Sequence, residues 1–512
     1  MSVQSLYKKV YHRLTGDLPA YVSTLRAEIF KDGKTFFLGS LLKRSAQLHP
    51  DEVALIYLDK KITYKELYSR AVRLSELLRE KGVRPHDRVL LFFENSIEFY
   101  IAYYGIIQLG AVVAPLNTFL KEAELTHIIN DASPVLLITI ADKVTHIRSM
   151  AAASTLAIMT EQDMRLAEPV PAQLPEFQVH ELAPDQMIAL LYTSGTTGMP
   201  KGVMLSSRNC MTNVFQIVSC LHLHHTDRIF GVLPLFHSFA QSTCVWAMLF
   251  VGASVIVVPK IERRYILSGL QHKPTFFMGI PALFGLMCLL KNAPLDSVKY
   301  FFSGGDALPD RIRAAFALIY RRKLCNGYGL TEASPVIAVD YYDESVPTST
   351  IGWPVLGVSC EIRDEQGAVL PQGEIGTLWV KGDNIMLGYY NAPEQTAKVL
   401  KDGWLDTGDL AYFDAKGRIV ITGRLKDLII NKGFNIYPQE IENVIVGHPA
   451  VIRAAVIGKA SEMEGEVPVA FVQVRKEEAG LEKVLRDLCV QHLAMYKVPR
   501  EFIITAQELP AT

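Results

Sequence analysis

Tyr192-Thr193-Ser194-Gly195-Thr196-Thr197-Gly198-Met199-Pro200-Lys201-Gly202-Val203 is a hydroxyl- and glycine-rich stretch closed by a single lysine and preceded by the apolar run Met187 to Leu191. Its chemistry suits an anion such as phosphate. Glycines let the chain turn so that backbone N–H groups converge, Ser194, Thr196 and Thr197 add O–H donors, and Lys201 adds a compact positive charge. The common P-loop is excluded: counted from Gly195, Pro200 stands where G-x-x-x-x-G-K-[ST] requires glycine.

Around this stretch, from Phe37 to about Pro259, helical segments alternate with short β-branched runs at Arg88 to Phe93, Ala111 to Pro115, Val135 to Ile140 and Ala253 to Val258. Such alternation predicts α/β layers with largely parallel strands. Residues 99–116 are interrupted by Gln108, Gly110 and Pro115, and 245–259 are too short to span a bilayer, so both are expected to be helix, glycine turn and buried strand. Between about 350 and 424 helices thin out. Ser359 to Arg363, Gly376 to Lys381 and Gly417 to Thr422 are strand candidates separated by turn sequences, which predicts a small β-rich subdomain. After Arg424 the pattern shifts again, to a helix from Pro438 to Val446 and strands at Ala454 to Ile457 and Val467 to Val474. The expected fold class is therefore α/β. A large N-terminal domain, 1–425, holds layered α/β subdomains and the β-rich one, and a small α+β C-terminal domain occupies 426–512.

At 512 residues and 49% hydrophobic content the chain has ample core for two or more globular domains. Its 52 basic and 53 acidic residues give a net charge of −1, so no global field attracts nucleic acid, which is set aside as a main ligand. Seven cysteines without a C-x-x-C pair suit reduced thiols, most of them small core residues, and a cytoplasmic location. Lys8, Lys9 and Arg13 lead into Gly-Asp-Leu-Pro and not into the apolar core of a signal peptide. Tyr7, Val10, Tyr11 and Leu14 fall at helical spacing opposite Lys8, Lys9, His12 and Arg13. Such a helix offers peripheral membrane contact, though packing on its own protein is the commoner fate. Cys220, His222, His224 and His225 match no standard zinc spacing and are not assigned to a metal.

Further along, Asn326-Gly327-Tyr328-Gly329-Leu330-Thr331-Glu332 combines flexible glycines with an aromatic face, a hydroxyl and a carboxylate, groups that suit a stacked base and a hard cation. Gly403 to Asp409 places an acid on an expected turn, and Gly423-Arg424 ends with a guanidinium. Singly, Asp409 is an ordinary turn residue, Arg424 a solvated charge and Tyr328 a core aromatic.

Together, in this order and spacing, these segments resemble the AMP-forming adenylating superfamily of acyl-CoA synthetases, nonribosomal adenylation domains and firefly luciferase, over about Phe37 to Thr512. The resemblance implies ATP and Mg2+. Thr193, Ser194, Gly195, Thr196, Thr197, Gly198 and Lys201 would cradle the β- and γ-phosphates. Asn326, Gly327, Tyr328 and Gly329 would hold adenine, with Gly305, Asp306 and Ala307 beside it. Thr331 would meet the α-phosphate, Thr193 and Glu332 the metal, and Asp409, supported by Arg424, the ribose hydroxyls. A substrate carboxylate then attacks the α-phosphorus, pyrophosphate leaves, and a thiol takes the acyl group from the adenylate. Lys426 matches the hinge about which a mobile C-terminal domain reorients, and Lys432 and Gly433 match the channel for the pantetheine of coenzyme A or of acyl carrier protein.

Pro234-Leu235-Phe236-His237-Ser238 resembles the substrate gate of fatty-acyl and aryl activators, with a hydrogen-bonded core histidine as the plainer role for His237. No aspartate lies near it, which disfavours an amino acid. Gly279, Ser303, Gly304 and Gly305 match segments lining an acyl tunnel, and a medium- or long-chain fatty acid is the expected substrate. The family's terminal lysine would lie beyond Glu508-Leu-Pro-Ala-Thr512, and Lys497 matches a different element. The chain as far as Thr512 is thus expected to be weak in adenylation while keeping the thiol-transfer residues, or to be a non-catalytic nucleotide or acyl-adenylate binder.

Overall fold

Apart from Glu98 in its first turn, the helix Ile97–Ile107 is apolar and buried, and the architecture is arranged to enclose it. Ser96 starts it by accepting a hydrogen bond from Phe99 N–H at 3.2 Å. A helix without a polar face is stable in water only when covered all round. Here its side chains join one buried cluster with residues from two sheets. The computed structural model describes residues 20–31, 34–164, 166, 168–193, 199–290, 293–340, 350–431, 434–461, 465–478 and 480–509. The N-terminal amphipathic stretch, Ser194 to Gly198, Lys432, Gly433 and Pro510 to Thr512 lie outside them.

Among the described residues, one sheet has nine strands in the order Trp353–Pro354, Val336–Asp340, Leu324–Gly329, Tyr300–Ser303, Phe276–Gly279, Arg228–Gly231, Ser254–Val257, Val53–Tyr57 and Lys60–Thr63. Its interior pairs are parallel and its edges antiparallel. The second sheet has seven, ordered Gly388–Tyr389, Lys201–Ser206, Met187–Thr193, Val112–Pro115, Arg88–Phe92, Leu136–Thr139 and Ala157–Thr160. The helix–turn–strand expectation for 99–116 holds: Gly110 turns at φ +70° between the buried helix and Val112–Pro115. Near residue 250 the arrangement also holds, although residues Gln241–Ala247 wind as a π-helix before Met248–Phe250.

A five-stranded antiparallel sheet forms the β-rich subdomain, and a further five-stranded sheet with helices Pro438–Val446 and Leu481–His492 makes the C-terminal domain around its own core. Three expectations shift. The strand expected at Gly417 to Thr422 is Ile419–Arg424, because Gly417 turns the chain at φ +76°. Ala454 to Ile457 is the middle of an 11-residue strand, Val451–Ser461, whose outer parts alternate too little to be seen. Asp409 is not on a turn but inside the strand Trp404–Phe413. Thr377 faces Leu410 while Trp379 faces Asp406, so Thr407 to Asp409 bulge out of the ladder, with Gly408 at φ +70°. Turn-forming residues here build a bulge.

All seven cysteines are free. Burial pushes the thiols of Cys244 and Cys325 up to about 12 and raises those of Cys210 and Cys360 further. No helix of the described residues is long and apolar enough to cross a membrane.

Between the two large sheets, Tyr103 Oη donates to Gln241 Oε1 at 3.2 Å and accepts from Trp246 Nε1 at 2.9 Å, all three side chains being fully buried. Tyr103→Phe leaves both partners unsatisfied and is expected to lower stability by about 1–3 kcal/mol. The measurement is the midpoint of urea unfolding at unchanged slope; an unshifted midpoint contradicts this account.

Candidate functional site

The strands Met187–Thr193 and Lys201–Ser206 run antiparallel with Thr193 opposite Lys201, so the intervening loop hangs from one end of a hairpin. Its base is tied down: His127 Nε2 lies 3.0 Å from Pro200 O, and Tyr192 Oη donates to Asp131 Oδ2 at 2.6 Å. Lys201 Nζ sits 5.4 Å above the centroid of the Tyr389 ring.

The second component lies on the larger sheet. Asn326 faces Ser303 in parallel register, and Ser303 in turn faces Gly279, so three expected site residues form one row across adjacent strands. Asn326 Nδ2 donates to Thr350 O at 3.3 Å. Gly304 lets its neighbours approach closely: a Cβ there would lie 3.1 Å from Phe239 and 3.2 Å from Gly327 O. Gly329 is more constrained, since its Cβ would meet Pro335 O at 2.1 Å. Gly305 turns at φ +82°, and Asp306, exposed, accepts from Ala307 N–H at 2.8 Å.

Tyr328, Asp409 and Arg424 converge although they come from two sheets. Asp409 and Arg424 are cross-strand partners with Nε 3.3 Å from Oδ1, and Tyr328 Oη donates to Asp409 Oδ2. Burial raises the Asp409 carboxyl above the usual range, and the hydrogen bond from Tyr328 and the Arg424 charge work against that rise. Asp409 is 5% exposed, whereas Arg424 keeps an exposed guanidinium. Burial raises the Tyr328 phenol, and the Asp409 charge adds to the rise, so it stays a donor.

Between these components lies the turn Thr331–Ala333. Thr331 Oγ1 is 3.0 Å from Ser238 Oγ, and Glu332 Oε1 accepts from Tyr389 Oη at 2.8 Å. Next to Ser238, His237 caps a short helix, its Nδ1 accepting from Phe239 N–H at 3.2 Å. The ring has an open edge, yet crowding on its other sides desolvates it and lowers its pKa. It is therefore neutral near pH 7, with its proton on Nε2. The structure thus links Thr193, Lys201, Glu332, Thr331 and His237 through direct contacts, chain neighbours or single intervening residues, and links Tyr328, Asp409 and Arg424 in a second group whose Tyr328 precedes Thr331 by three residues. Lys426 stands apart from them, exposed in a 3₁₀ turn, Leu425–Asp427, between the β-rich sheet and the first strand of the C-terminal domain. Lys497 is paired with Glu440 at 2.6 Å. Arg311 joins the domains by donating to the carbonyls of Val451, at 2.8 Å, and Ile452.

Sequence reasoning missed Tyr389, Asn384 and His127. Tyr389 lies in Gly388-Tyr389-Tyr390-Asn391, and its partners Glu332 and Lys201 are so distant in the chain that no local pattern links them.

This architecture and cluster match a known class. The sequence profile of the AMP-binding enzyme family covers residues 42–390, and that of the AMP-binding enzyme C-terminal domain covers residues 440–512. The chain belongs to the AMP-binding enzyme family. It is 32% identical to the long-chain-fatty-acid–CoA ligase of Bacillus subtilis (strain 168), over 97% of this chain and 95% of that protein. Against 4-coumarate–CoA ligase 1 of Solanum tuberosum it is also 32% identical, over 87% of this chain and 86% of that one. The crystal structure of ATP-bound MatB from Rhodopseudomonas palustris shares the fold with a TM-score of 0.86 and 31% identity, covering 93% of this chain and 96% of that one.

Because burial raises its native pKa, the Asp409 carboxyl costs stability when ionised: that cost is absent below the ordinary value of 3.8 and appears as pH rises through the native value. Asp409→Asn is therefore expected to unfold at an equal or higher temperature than wild type at pH 7, the gap closing as pH falls toward 3.8. Thermal unfolding across pH checks this; a variant clearly less stable at pH 7 refutes it.

Proposed function

We propose that this protein joins a carboxylic acid to coenzyme A through an acyl-adenylate, and that the acid is a medium- or long-chain fatty acid. One observation carries the reading. Lys201 lies over the Tyr389 ring, Tyr389 donates to Glu332, and the neighbouring Thr331 contacts Ser238, while Tyr328, which donates to Asp409, sits on the strand that leads into the Thr331 turn. A nucleoside triphosphate fits such a line, with its phosphate tail at the hairpin, its α-phosphate by Thr331 and its ribose at Asp409.

Mg2+ suits the donors at the centre. Glu332 uses Oε1 for Tyr389, its Oε2 accepts no hydrogen bond from a described residue, and the Thr331 hydroxyl is adjacent, so the available ligands are hard oxygens. When bound, the cation offsets phosphate charge and helps pyrophosphate leave. Lys201 supplies the permanent positive charge against the repulsion between substrate carboxylate and phosphate; at an effective dielectric of about 20, one close pair is worth about 4 kcal/mol. Asp409 orients the ribose, and the neutral His237 borders the acid. Exposure of Lys426 between the domains supports its role as the hinge.

Support for a fatty acid comes from the apolar gate without an aspartate. An aryl acid is the second reading, favoured by the 32% identity to 4-coumarate–CoA ligase 1. Pyrophosphate release against dodecanoate and 4-coumarate separates the two. Dodecanoate is expected to be the better substrate, and turnover with 4-coumarate alone overturns the fatty-acid assignment. Product formation with coenzyme A and with holo acyl carrier protein identifies the acceptor, coenzyme A being expected; saturation by the carrier protein alone reverses that choice. Lys201→Ala is expected to weaken ATP binding about 10–100-fold, the usual worth of one charge-assisted contact, as read by calorimetry; unchanged affinity would remove Lys201 from the phosphate site.

A further inference from the structure

Residues 384–391 stitch the two large sheets together. Asn384 Nδ2 donates to Ala333 O at 2.8 Å, and Met386 N–H donates to Glu332 O at 2.8 Å, so this segment grips the turn that carries Glu332. Immediately afterwards Leu387 N–H donates to Met204 O at 3.0 Å, Gly388 and Tyr389 pair with Met204 and Val203, and Tyr390 N–H donates to Gly202 O at 2.7 Å. One short strand therefore fixes the backbone of Glu332 on one side and the strand that begins at Lys201 on the other.

The Tyr389 side chain occupies the gap between them. Its hydroxyl donates to Glu332 Oε1 at 2.8 Å, and its ring lies 5.4 Å beneath Lys201 Nζ. Lys201 and Glu332 carry opposite charges, yet they are not paired with one another. Each contacts a different part of the Tyr389 side chain, the ammonium its ring and the carboxylate its hydroxyl; with that side chain removed the two charges are free to pair, and each would then be lost to its own ligand.

We propose that Tyr389 is a positioning residue which holds Lys201 and Glu332 apart, keeping the ammonium for the nucleotide phosphates and one carboxylate oxygen for the divalent cation. The inference rests on the functional reading above and deepens it. Two parts of one side chain do separate work. The hydroxyl orients Glu332 by occupying Oε1, which leaves Oε2 for the metal, and outer partners of this kind commonly matter about 10–100-fold to metal affinity. The ring acts as a spacer, whose face attracts the ammonium without neutralising it.

The test measures ATP binding by calorimetry on the full chain, without carboxylic acid and across a Mg2+ titration. Tyr389→Phe keeps the ring and loses the hydroxyl: the Mg2+ concentration for half-maximal effect should rise about tenfold, with Mg2+-free ATP binding and unfolding temperature unchanged. Tyr389→Leu loses both parts: Mg2+-free ATP binding should also weaken, and adding Glu332→Gln should restore it by releasing Lys201. A structural role alone predicts no such rescue. Wild-type Mg2+ dependence in Tyr389→Phe, or failure of Glu332→Gln to restore binding in the leucine variant, overturns the proposal while leaving the ligase reading intact. A wild-type protein that neither binds ATP nor releases pyrophosphate with any acid refutes that reading first.

Discussion

The backbone hydrogen bonds that residues 384–391 make to Glu332 O on one side and to the strand Lys201–Ser206 on the other are the constraint on which the site depends. Neither large sheet carries a complete site. One supplies the hairpin that carries Thr193 and Lys201, the other supplies Asn326, Tyr328 and the Thr331–Ala333 turn, and the β-rich sheet supplies Asp409 and Arg424. A reaction between two anions requires its cations and donors fixed before substrate arrives, because each group that must be ordered later subtracts from the gain. Edge pairing in the second sheet satisfies otherwise open strand groups and fixes that geometry at the same time.

Electrostatics follow from this placement. A carboxylate that is 5% exposed is costly, and the Asp409 site offsets the cost with a phenol donor and a guanidinium whose outer face stays in water. Glu332 is treated differently: one oxygen is engaged by Tyr389, and a soft cation–ring contact holds the nearest lysine. The first arrangement accepts a desolvation cost to keep a buried carboxylate. The second leaves one carboxylate oxygen without a hydrogen-bond donor among the described residues.

Much of the layout was legible in the chain. Period and composition located the α/β layers, the β-rich stretch after residue 350 and the change after Arg424, because buried parallel strands and their crossover helices leave strong local patterns. Strands Ser359–Arg363 and Gly376–Lys381 and helix Pro438–Val446 have the expected bounds. Asp409 was misplaced on a turn because Asp-Thr-Gly-Asp has the same composition whether it reverses a chain or bulges from a strand; only the facing residues Thr377 and Trp379 decide, and they are remote in sequence. Tyr389 was invisible for a related reason. Its chemistry lies in partners brought by sheet pairing, and a tyrosine beside a glycine has no distinctive local meaning.

The cysteines bear on the same chemistry from another direction. An acyl-adenylate is a mixed anhydride that reacts with any available thiolate, and an enzyme that makes one risks acylating itself. Cys360 lies near Tyr328, but burial raises its thiol far above neutrality, as it does for Cys210, Cys244 and Cys325. At such values the thiolate fraction near pH 7 is negligible. The protein can therefore carry sulfur beside Tyr328 without offering a rival nucleophile there.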